Sequence, residues 1–341
     1  MENGRSGRMV RQQSNYSAFI PNPLPPDPPV RFDSSLIEAL SKADRYLGRL
    51  DGVTQILPNP DLFVAMYVRK EAVLSSQIEG TQASLIDILD IGGQTHAEPQ
   101  DVEEVVNYVH AMNYGLSRLE TLPLSLRLLK EIHGALMEGV RGGDKSPGEF
   151  RRSQNWIGPA GCSLTTATFV PPPPREMETA MNDLEMFLYS EPELPPLIRI
   201  GLIHAQFETI HPFLDGNGRM GRLLITFFLC QQKVLMKPLL YLSFYFKKNR
   251  EEYYGKLTRI RTHDDWEGWL KFFLNGVAEM AEEAIILARE IIDLQQRMQT
   301  RIREAYPSNT NAVHLLAKLF EQPVVDIRQV QKVIGTTYRK R

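Results

Sequence analysis

Apolar residues recur every three or four positions along most of this chain, which is the spacing of amphipathic helices. The clearest stripes run from Leu36 to Leu50 and from Val102 to Leu116. Leu223–Gln231 is apolar on nearly every face, and we expect it to form a buried central helix. The pattern predicts further helices at 62–78, 81–91, 97–119, 126–137, 175–189, 196–210 and 249–261, and two long helices within 264–303.

Proline, glycine and capping residues predict where these helices begin and end. Pro58 and Pro60 interrupt the pattern, and Asp61 is the expected N-cap of the following helix, which Gly80 ends. Residues 1–35 are polar and rich in proline, so we expect an extended arm across the surface rather than a helix.

One segment has an extended pattern instead of a helical one. Gln154–Ile157 and Ala167–Val170 flank a turn rich in glycine, proline and serine, and Pro171–Pro174 ends the second piece. This pattern predicts a β-hairpin, and an irregular surface excursion explains the local sequence equally well. A lone hairpin is only marginally stable in water, so it must pack on the neighbouring helices.

The composition excludes several classes of protein. The 341 residues are 43% hydrophobic and 23% charged, with a formal net charge of −2, which gives no general attraction to nucleic acid or to anionic membranes. Cys162 and Cys230 are far apart and lack a metal-binding spacing. No apolar run reaches the ~20 residues of a membrane span, and no secretory signal is visible. We therefore expect a cytoplasmic protein.

The stretch from His211 to Arg222 carries the strongest chemical signal. It reads His-Pro-Phe-Leu-Asp-Gly-Asn-Gly-Arg-Met-Gly-Arg and runs directly into the apolar helix. If a helix opens at Gly216, its first backbone N–H groups and its dipole form an anion site. Arg219 and Arg222 are three residues apart, so both can reach phosphate oxygens near one helix end.

The two remaining ionisable groups of the motif complete a site for group transfer. Asp215 is its only carboxylate and the candidate Mg²⁺ ligand, because Mg²⁺ commonly takes one or two carboxylates plus substrate oxygens. His211 can accept a proton at neutral pH. The motif therefore predicts nucleotidyl or phosphoryl transfer with a single histidine base. It is not a P-loop, since no Gly-Lys-Ser/Thr follows.

The motif matches without mismatch the signature of the Fic family, His-Pro-Phe-x-(Asp/Glu)-Gly-Asn-Gly-Arg-x-x-Arg. The resemblance covers about Asp61–Arg261 and implies an all-α, Fic-type helical bundle with one β-hairpin flap, here 148–174. It implies transfer of AMP from ATP to a Ser, Thr or Tyr hydroxyl of a target protein or of the chain itself. His211 would be the general base, Asp215 would hold Mg²⁺ and Arg222 would grip the γ-phosphate. The other implied nucleotide-binding residues of the motif are Gly216, Asn217, Gly218, Arg219, Met220 and Gly221.

The resemblance also assigns residues outside the motif. Tyr253 and Tyr254 are similar to a Tyr-Tyr pair near the nucleotide base, and packing in the core explains them at least as well. Independently of the resemblance, the helical patterns around His133 and His204 indicate packing or surface histidines rather than ligands. The flap residues expected to hold the target segment by strand-like pairing are Ile157, Gly158, Thr168 and Phe169.

A second motif upstream predicts control of the first. Ser75 and Glu79 are four residues apart and share a helix face, and Gly80 follows them. A glutamate at a helix end is usually just solvated, but Ser/Thr-x-x-x-Glu-Gly resembles the inhibitory motif of the Fic family. The resemblance implies that Glu79 pairs with Arg222 and removes the γ-phosphate grip, so we count Glu79 with the nucleotide site.

The last segment resembles the first part of a winged helix-turn-helix, with short helices at 312–320 and 327–333. A capping or dimer-packing helix pair explains it equally well, which leaves DNA binding open. A homodimer is expected from the family resemblance only. We divide the chain into a Pro-rich arm (1–35), an N-terminal helical region with the inhibitory helix (36–120), a catalytic core (121–262), C-terminal helices (263–305) and the tail (306–341).

Two other functions remain open at this level. One is transfer of another phosphate-containing group on the same scaffold, although the lysine-bearing motif of kinase-like relatives is absent because Gly216 occupies that place. The other is a DNA-binding regulator whose core only senses a nucleotide, against which the net charge of −2 argues.

Overall fold

A computed structural model of the chain describes residues 4–89, 97–140, 145–190, 193–307, 309–321 and 325–335. Within these ranges the protein is a helical bundle, which confirms the expected all-α class. Its helices are α1 (Ser34–Thr54), α2 (Pro60–Ile78), α3 (Leu85–Leu89), α4 (Pro99–Arg118), α5 (Leu126–Leu136), α6 (Pro174–Tyr189), α7 (Pro196–Ile210), α8 (Asn217–Gln231), α9 (Leu242–Lys248), α10 (Arg250–His263), α11 (Trp266–Ala305), α12 (Thr310–Glu321) and α13 (Ile327–Ile334). None of these helices combines the length and the apolar character that a bilayer crossing requires.

Helices α7 and α8 form the centre of the bundle. Every residue from Leu197 to Ile210 is buried, and so is nearly all of α8 up to Leu229. A helix that is apolar on every side must be surrounded by other helices. Helices α4, α5, α10 and α11 pack around α7 and α8. The motif loop, 211–216, joins these two central helices and is therefore held at both ends by the best-packed part of the protein.

Helix α11 is one continuous helix of 40 residues, not the two helices that the sequence suggested. At 1.5 Å per residue it is about 60 Å long, and α1 packs along it. Gly276 lies within this helix and does not interrupt it. The Tyr245 ring packs in the place of a side chain there, since a Cβ at Gly276 would lie 2.5 Å from that ring. The glycine allows close packing here instead of ending a helix.

The arm at residues 1–35 contains an unpredicted hairpin. Strands β1 (Gly7–Arg11) and β2 (Ser17–Pro21) pair in antiparallel fashion. The N–H of Phe19 donates to the Val170 carbonyl at 3.0 Å, and the Phe19 side chain is buried. The hairpin thus depends on a distant segment for part of its stability, and local sequence could not show that support.

The flap predicted between 148 and 174 is paired at one position only. Ile157 and Phe169 exchange two N–H···O bonds of 2.8 and 3.0 Å, and no longer ladder forms within the described residues 145–190. Pro159 and Pro171 stand two residues beyond this pair on either stem, and proline has no N–H to donate to a ladder.

Helix α2 begins two residues earlier than predicted. Asn59 is the N-cap, its side-chain oxygen accepting the Leu62 N–H at 3.0 Å, and Pro60 takes the first helical position. Asp61 is therefore not the cap. It lies in the first turn and forms an ion pair with Lys237.

The two short helices of the tail are present as α12 and α13, and Asp326 and Gln329 form a capping box at the start of α13. Residues 322–324 and the basic end of the tail, 336–341, lie outside the described residues, as do residues 90 and 91 of the predicted 81–91 helix. The start of a recognition helix is therefore not described.

Replacing the observed cap of α2 should destabilise the protein. Asn59→Ala is expected to lower the free energy of unfolding by about 1 kcal/mol, because the Leu62 N–H loses its acceptor, while Asn59→Asp keeps an acceptor and should stay close to wild type. Urea unfolding followed by circular dichroism measures both. A larger loss for Asp61→Ala than for Asn59→Ala would restore Asp61 as the cap.

Candidate active site

The motif loop holds its histidine in an uncommon backbone conformation. His211 follows α7 with φ 51° and ψ 61°, in the left-handed region, and its N–H donates to Phe207 O at 2.9 Å. Gly216 stands before α8 with φ 73°. A left-handed conformation is rare for a residue with a side chain and persists only where surrounding contacts enforce it.

Two asparagines supply these contacts. The Asn217 side chain accepts the Phe213 N–H and donates to the Phe213 carbonyl, both at 2.8 Å, which closes the loop on itself. Asn155 of the flap donates to His211 O at 3.2 Å and to Phe213 O at 2.9 Å. Phe213 is fully buried, as expected for a core anchor. The side chain of Asn217 is therefore committed to the loop and offers phosphate only its backbone.

His133 connects α5, the start of the flap and the motif. Its Nδ1 accepts the Gly148 N–H at 2.9 Å, so the ring proton is on Nε2, which donates to the Asp215 carbonyl at 3.1 Å. Its ring stacks on Phe213 with centroids 3.7 Å apart. Burial lowers the pKa of His133 to about 4, so it stays neutral. The sequence showed only a histidine on an apolar helix face, which gave no signal for this bridging role.

His211 is neutral and has an unused nitrogen. Burial, and then the Arg151 guanidinium, lower the pKa of His211 to about 4. Its Nδ1 is buried and has no hydrogen-bond partner among the described residues. An imidazole in this state can accept a proton at pH 7, as a general base must.

Asp215 lies at the edge of the loop with its side chain 36% exposed. Its Oδ1 accepts the Gly216 N–H at 2.7 Å, and its Oδ2 accepts from Lys145 Nζ at 3.0 Å. Burial works to raise the pKa of Asp215, but the bond from Lys145 and the Gly216 N–H outweigh it, so the pKa is lowered. Sequence reasoning missed Lys145, which no motif marks.

The donor set around Asp215 fits Mg²⁺ bound mainly through substrate. Within the described ranges no group of three His, Cys, Asp or Glu residues could hold a metal by itself. One partly exposed, ionised carboxylate beside an anion site is what Mg²⁺ uses when phosphate oxygens and water complete its octahedron.

The two motif arginines point to different neighbours. Arg219 is buried, with Nη1 3.6 Å from Glu104 Oε2 and Nη2 3.4 Å from Met137 Sδ. Arg222 is buried against α2 instead. Met220, between them, is completely buried, so its side chain packs in the core away from any nucleotide.

Arg222 is bound by both residues of the upstream motif. Its Nε donates to Ser75 Oγ at 2.7 Å, and its Nη2 donates to Ser75 O at 3.0 Å and to Glu79 Oε1 at 2.6 Å. Burial works to lower the pKa of Arg222, but the Glu79 carboxylate, together with Tyr253, Tyr254 and Glu208, outweighs it and the pKa is raised. Glu79 is the C-cap of α2, with Gly80 next at φ 107°. The structure thus brings together the residues that the sequence paired.

Gly218 gives the Glu79 carboxylate access to the first turn of α8. A Cβ at Gly218 would lie 2.2 Å from Glu79 Oε1 and 3.1 Å from Arg222 Nη1. The carboxylate consequently lies against the helix N-terminus, where an anion is favoured by the dipole and the unpaired N–H groups.

The two tyrosines of α10 have different environments. Tyr253 is buried, with its hydroxyl 2.9 Å from His204 Nε2 and its ring stacked on Phe246, so it belongs to the core. Tyr254 is 38% exposed. Burial, and then Glu79, raise the pKa of Tyr254 to about 12, so it faces the region of Glu79 and stays protonated. Of the pair, only Tyr254 can face a bound molecule.

The flap presents an accessible stem near the loop. Ile157 is 38% exposed and Thr168 is exposed, while Phe169 is half-buried beneath the Arg261 guanidinium, 3.8 Å from its ring centroid. Gly158 allows a close approach of the two stems, because a Cβ there would lie 2.6 Å from Cys162 Sγ and 3.2 Å from Thr168 N.

Comparison with known proteins identifies the class to which this site belongs. Residues 37–117 match the family described as Fic/DOC family N-terminal, and residues 123–229 match the Fic/DOC family. The two matches together span more than half of the chain. This chain belongs to the Fic/DOC family.

Individual relatives agree with this assignment. The Protein adenylyltransferase Fic of Drosophila virilis is 28% identical over 227 residues, covering 66% of this chain and 40% of that protein. Its namesake from Drosophila grimshawi is 28% identical over 194 residues, covering 56% and 35%. The chain thus spans well under half of the length of these relatives.

Solved structures share the fold. A Fic family protein from Desulfovibrio desulfuricans G20 superposes with a TM-score of 0.65 at 20% identity, over 91% of this chain and 86% of that one. Fic-1 from C. elegans gives 0.54 at 19% identity, over 76% and 73%.

The electrostatic state of His211 can be measured directly. At pH 6 an unperturbed imidazole, with a pKa near 6.5, is mostly protonated, whereas His211 should remain neutral because its pKa is about 4. Nitrogen NMR of ring-labelled protein, assigned with His211→Gln, reports this state. An imidazolium signal from His211 at pH 6 would contradict the burial argument.

Proposed function

We propose that this protein is an autoinhibited protein adenylyltransferase, which transfers AMP from ATP to a Ser, Thr or Tyr hydroxyl of a target protein or of itself. The observation that carries the proposal is the motif at 211–222, in which a neutral histidine and a carboxylate lie on the loop directly before the N-terminus of α8. The name of the Drosophila relatives, which share this family, supports the same reaction.

His211 takes the proton in the proposed reaction. The hydroxyl oxygen of the target forms a bond to the α-phosphorus of ATP while the bond to the β-phosphate oxygen breaks, and pyrophosphate leaves. The hydroxyl proton passes to the imidazole, which is neutral because burial and Arg151 lower its pKa. The left-handed backbone at His211 and the two asparagine contacts hold the ring in place beforehand.

The phosphates would lie at the first turn of α8. The backbone N–H groups after Gly216 and the helix dipole favour the polyphosphate, and Arg219 and Arg222 add positive charge. Asp215 would hold Mg²⁺, which when bound neutralises part of the phosphate charge. Lys145 brings a further cation to the same edge, 3.0 Å from Asp215.

Glu79 would inhibit this reaction in two ways at once. It neutralises Arg222, which is then not available to the γ-phosphate. Its carboxylate also lies against Gly218, where phosphate oxygens would approach α8. A hydrogen bond to a charged group is worth roughly 1.5–3 kcal/mol, which is enough to hold the inhibited state and small enough for a binding partner to overcome.

Removing the carboxylate should release the activity. Glu79→Gly is expected to raise the rate of AMP incorporation from labelled ATP about ten- to hundredfold, since roughly 1.5–3 kcal/mol is removed from the inhibited state. Intact mass spectrometry shows whether the added group is one AMP or one phosphate.

Glu120→Gly is the matched control, because Glu120 is an exposed glutamate just beyond the end of α4. It should leave the rate at the wild-type level. Equal rates for wild type and Glu79→Gly would contradict the inhibitory role of Glu79. A gain of one phosphate in mass would show that the reaction is phosphorylation and not adenylylation.

The base assignment makes a separate prediction in the Glu79→Gly protein. His211→Ala should lower the transfer rate about 10²- to 10⁴-fold, and calorimetry should find ATP affinity nearly unchanged, because the phosphate contacts lie on α8. His110→Ala, on the exposed face of α4, is the control for the same exchange. Retention of transfer by His211→Ala would refute the histidine base.

A further inference from the structure

Arg151 is a buried arginine outside both sequence motifs, and the proposed reaction gives it only an influence on the pKa of His211. It lies near the start of the flap segment, before the first stem, and is 1% exposed. No carboxylate in the described part of the chain forms an ion pair with it. A guanidinium held in the interior by neutral groups alone is unusual, because the burial of a charge is costly without strong hydrogen bonds.

Its partners are backbone carbonyls from separate parts of the site. The guanidinium donates to His211 O at 3.0 Å, to Ile210 O at 3.4 Å, to Ser153 O at 3.2 Å and to Pro172 O. The backbone N–H of Arg151 adds a bond to Pro212 O at 2.9 Å. Three of these carbonyls lie at or just beyond the end of α7, where helix carbonyls lack partners and the dipole favours a cation.

The other two carbonyls belong to the flap. Ser153 precedes its first stem and Pro172 follows its second, so one planar fork joins both ends of the flap to the backbone of His211. Lysine could not reproduce this arrangement, because an ammonium is a point donor without the fixed fork of a guanidinium.

The same charge acts on the imidazole. Burial is the largest influence on the pKa of His211 and lowers it; Arg151 and Arg261 lower it further, whereas the Glu79 carboxylate and the Glu208 backbone raise it. Arg151 therefore touches the base in two separable ways, through backbone geometry and through charge.

We propose that Arg151 is a positioning residue, which fixes the His211 backbone in its left-handed conformation and holds the two flap stems at a set distance from it. A target hydroxyl held by the flap would then lie at a fixed position relative to the His211 imidazole. This inference rests on the proposed function, and it concerns the residue that aligns base and target instead of the chemistry itself.

The test compares three substitutions in the Glu79→Gly background, where Glu79 no longer contributes to the His211 environment. Arg151→Met removes the fork and the charge, Arg151→Lys removes the fork and keeps the charge, and Arg152→Met makes the same exchange at the exposed neighbouring arginine. Each protein is measured for kcat, for KM for ATP, for the pH dependence of kcat and for the NMR titration of His211.

Arg151→Met should lower kcat on the order of 10²-fold, because misplacement of a reacting group by about 1 Å has that effect, with KM for ATP unchanged. In this variant His211 should titrate at a higher pH than in the parent. The acid limb of the pH dependence of kcat should shift to higher pH with it. Arg151→Lys should lose roughly tenfold in kcat with the acid limb unmoved. Arg152→Met should match the parent throughout.

Several outcomes would overturn the inference. Parental kcat in either Arg151 variant would do so, as would a loss explained wholly by a smaller folded fraction or by a raised KM for ATP. If Arg151→Met does not fold, Arg151→Lys decides alone. If the parent transfers nothing, the proposed function fails, and the Arg151 inference is then judged by hydrogen exchange at Ile157 and Phe169: unchanged protection in Arg151→Lys would overturn it, and faster exchange would support it.

Discussion

The buried Arg222 guanidinium contacts one carboxylate among the described residues, that of Glu79, and the proposed function depends on this contact. Its immediate partners are Ser75 and Glu79 of α2. Glu71 and Glu208 also bear on it from further away, and burial raises the pKa of both, that of Glu208 to about 7. Among the described carboxylates, only Glu79 is both in contact with Arg222 and partly exposed, so under the proposed function it is the one that a phosphate would displace without uncovering the core.

The rest of the site is held by contacts that do not involve Glu79. The loop that carries His211 joins the two most buried helices and is closed by neutral hydrogen bonds from Asn155 and Asn217. His133 adds a fixed contact to the Asp215 carbonyl. Neutral donors and acceptors of this kind do not depend on the ionic state of the substrate, so the geometry is set before binding.

Relations that are local in the chain were predictable, and relations between distant segments were not. Spacing and family resemblance predicted the apolar run of α8, a helix N-terminus at the motif and the pairing of Glu79 with Arg222. The N-cap at Asn59, the unbroken helix α11 and the single bridge of the flap did not. Each depends on a packing partner or on the competition between neighbouring residues. The packing of the Tyr245 ring against Gly276 of α11 is one example.

By itself, the sequence determined which groups are available: a histidine, a carboxylate and glycines at fixed spacing before an apolar helix, and a glutamate four residues after a serine. Tertiary structure alone decided how these groups behave. It made His211 neutral by burying it near Arg151, committed Asn217 to the loop, and separated the buried Tyr253 from the exposed Tyr254. The physical reason is that desolvation and hydrogen-bond partners are set by segments distant in the chain, whereas spacing along a helix is fixed by the backbone itself.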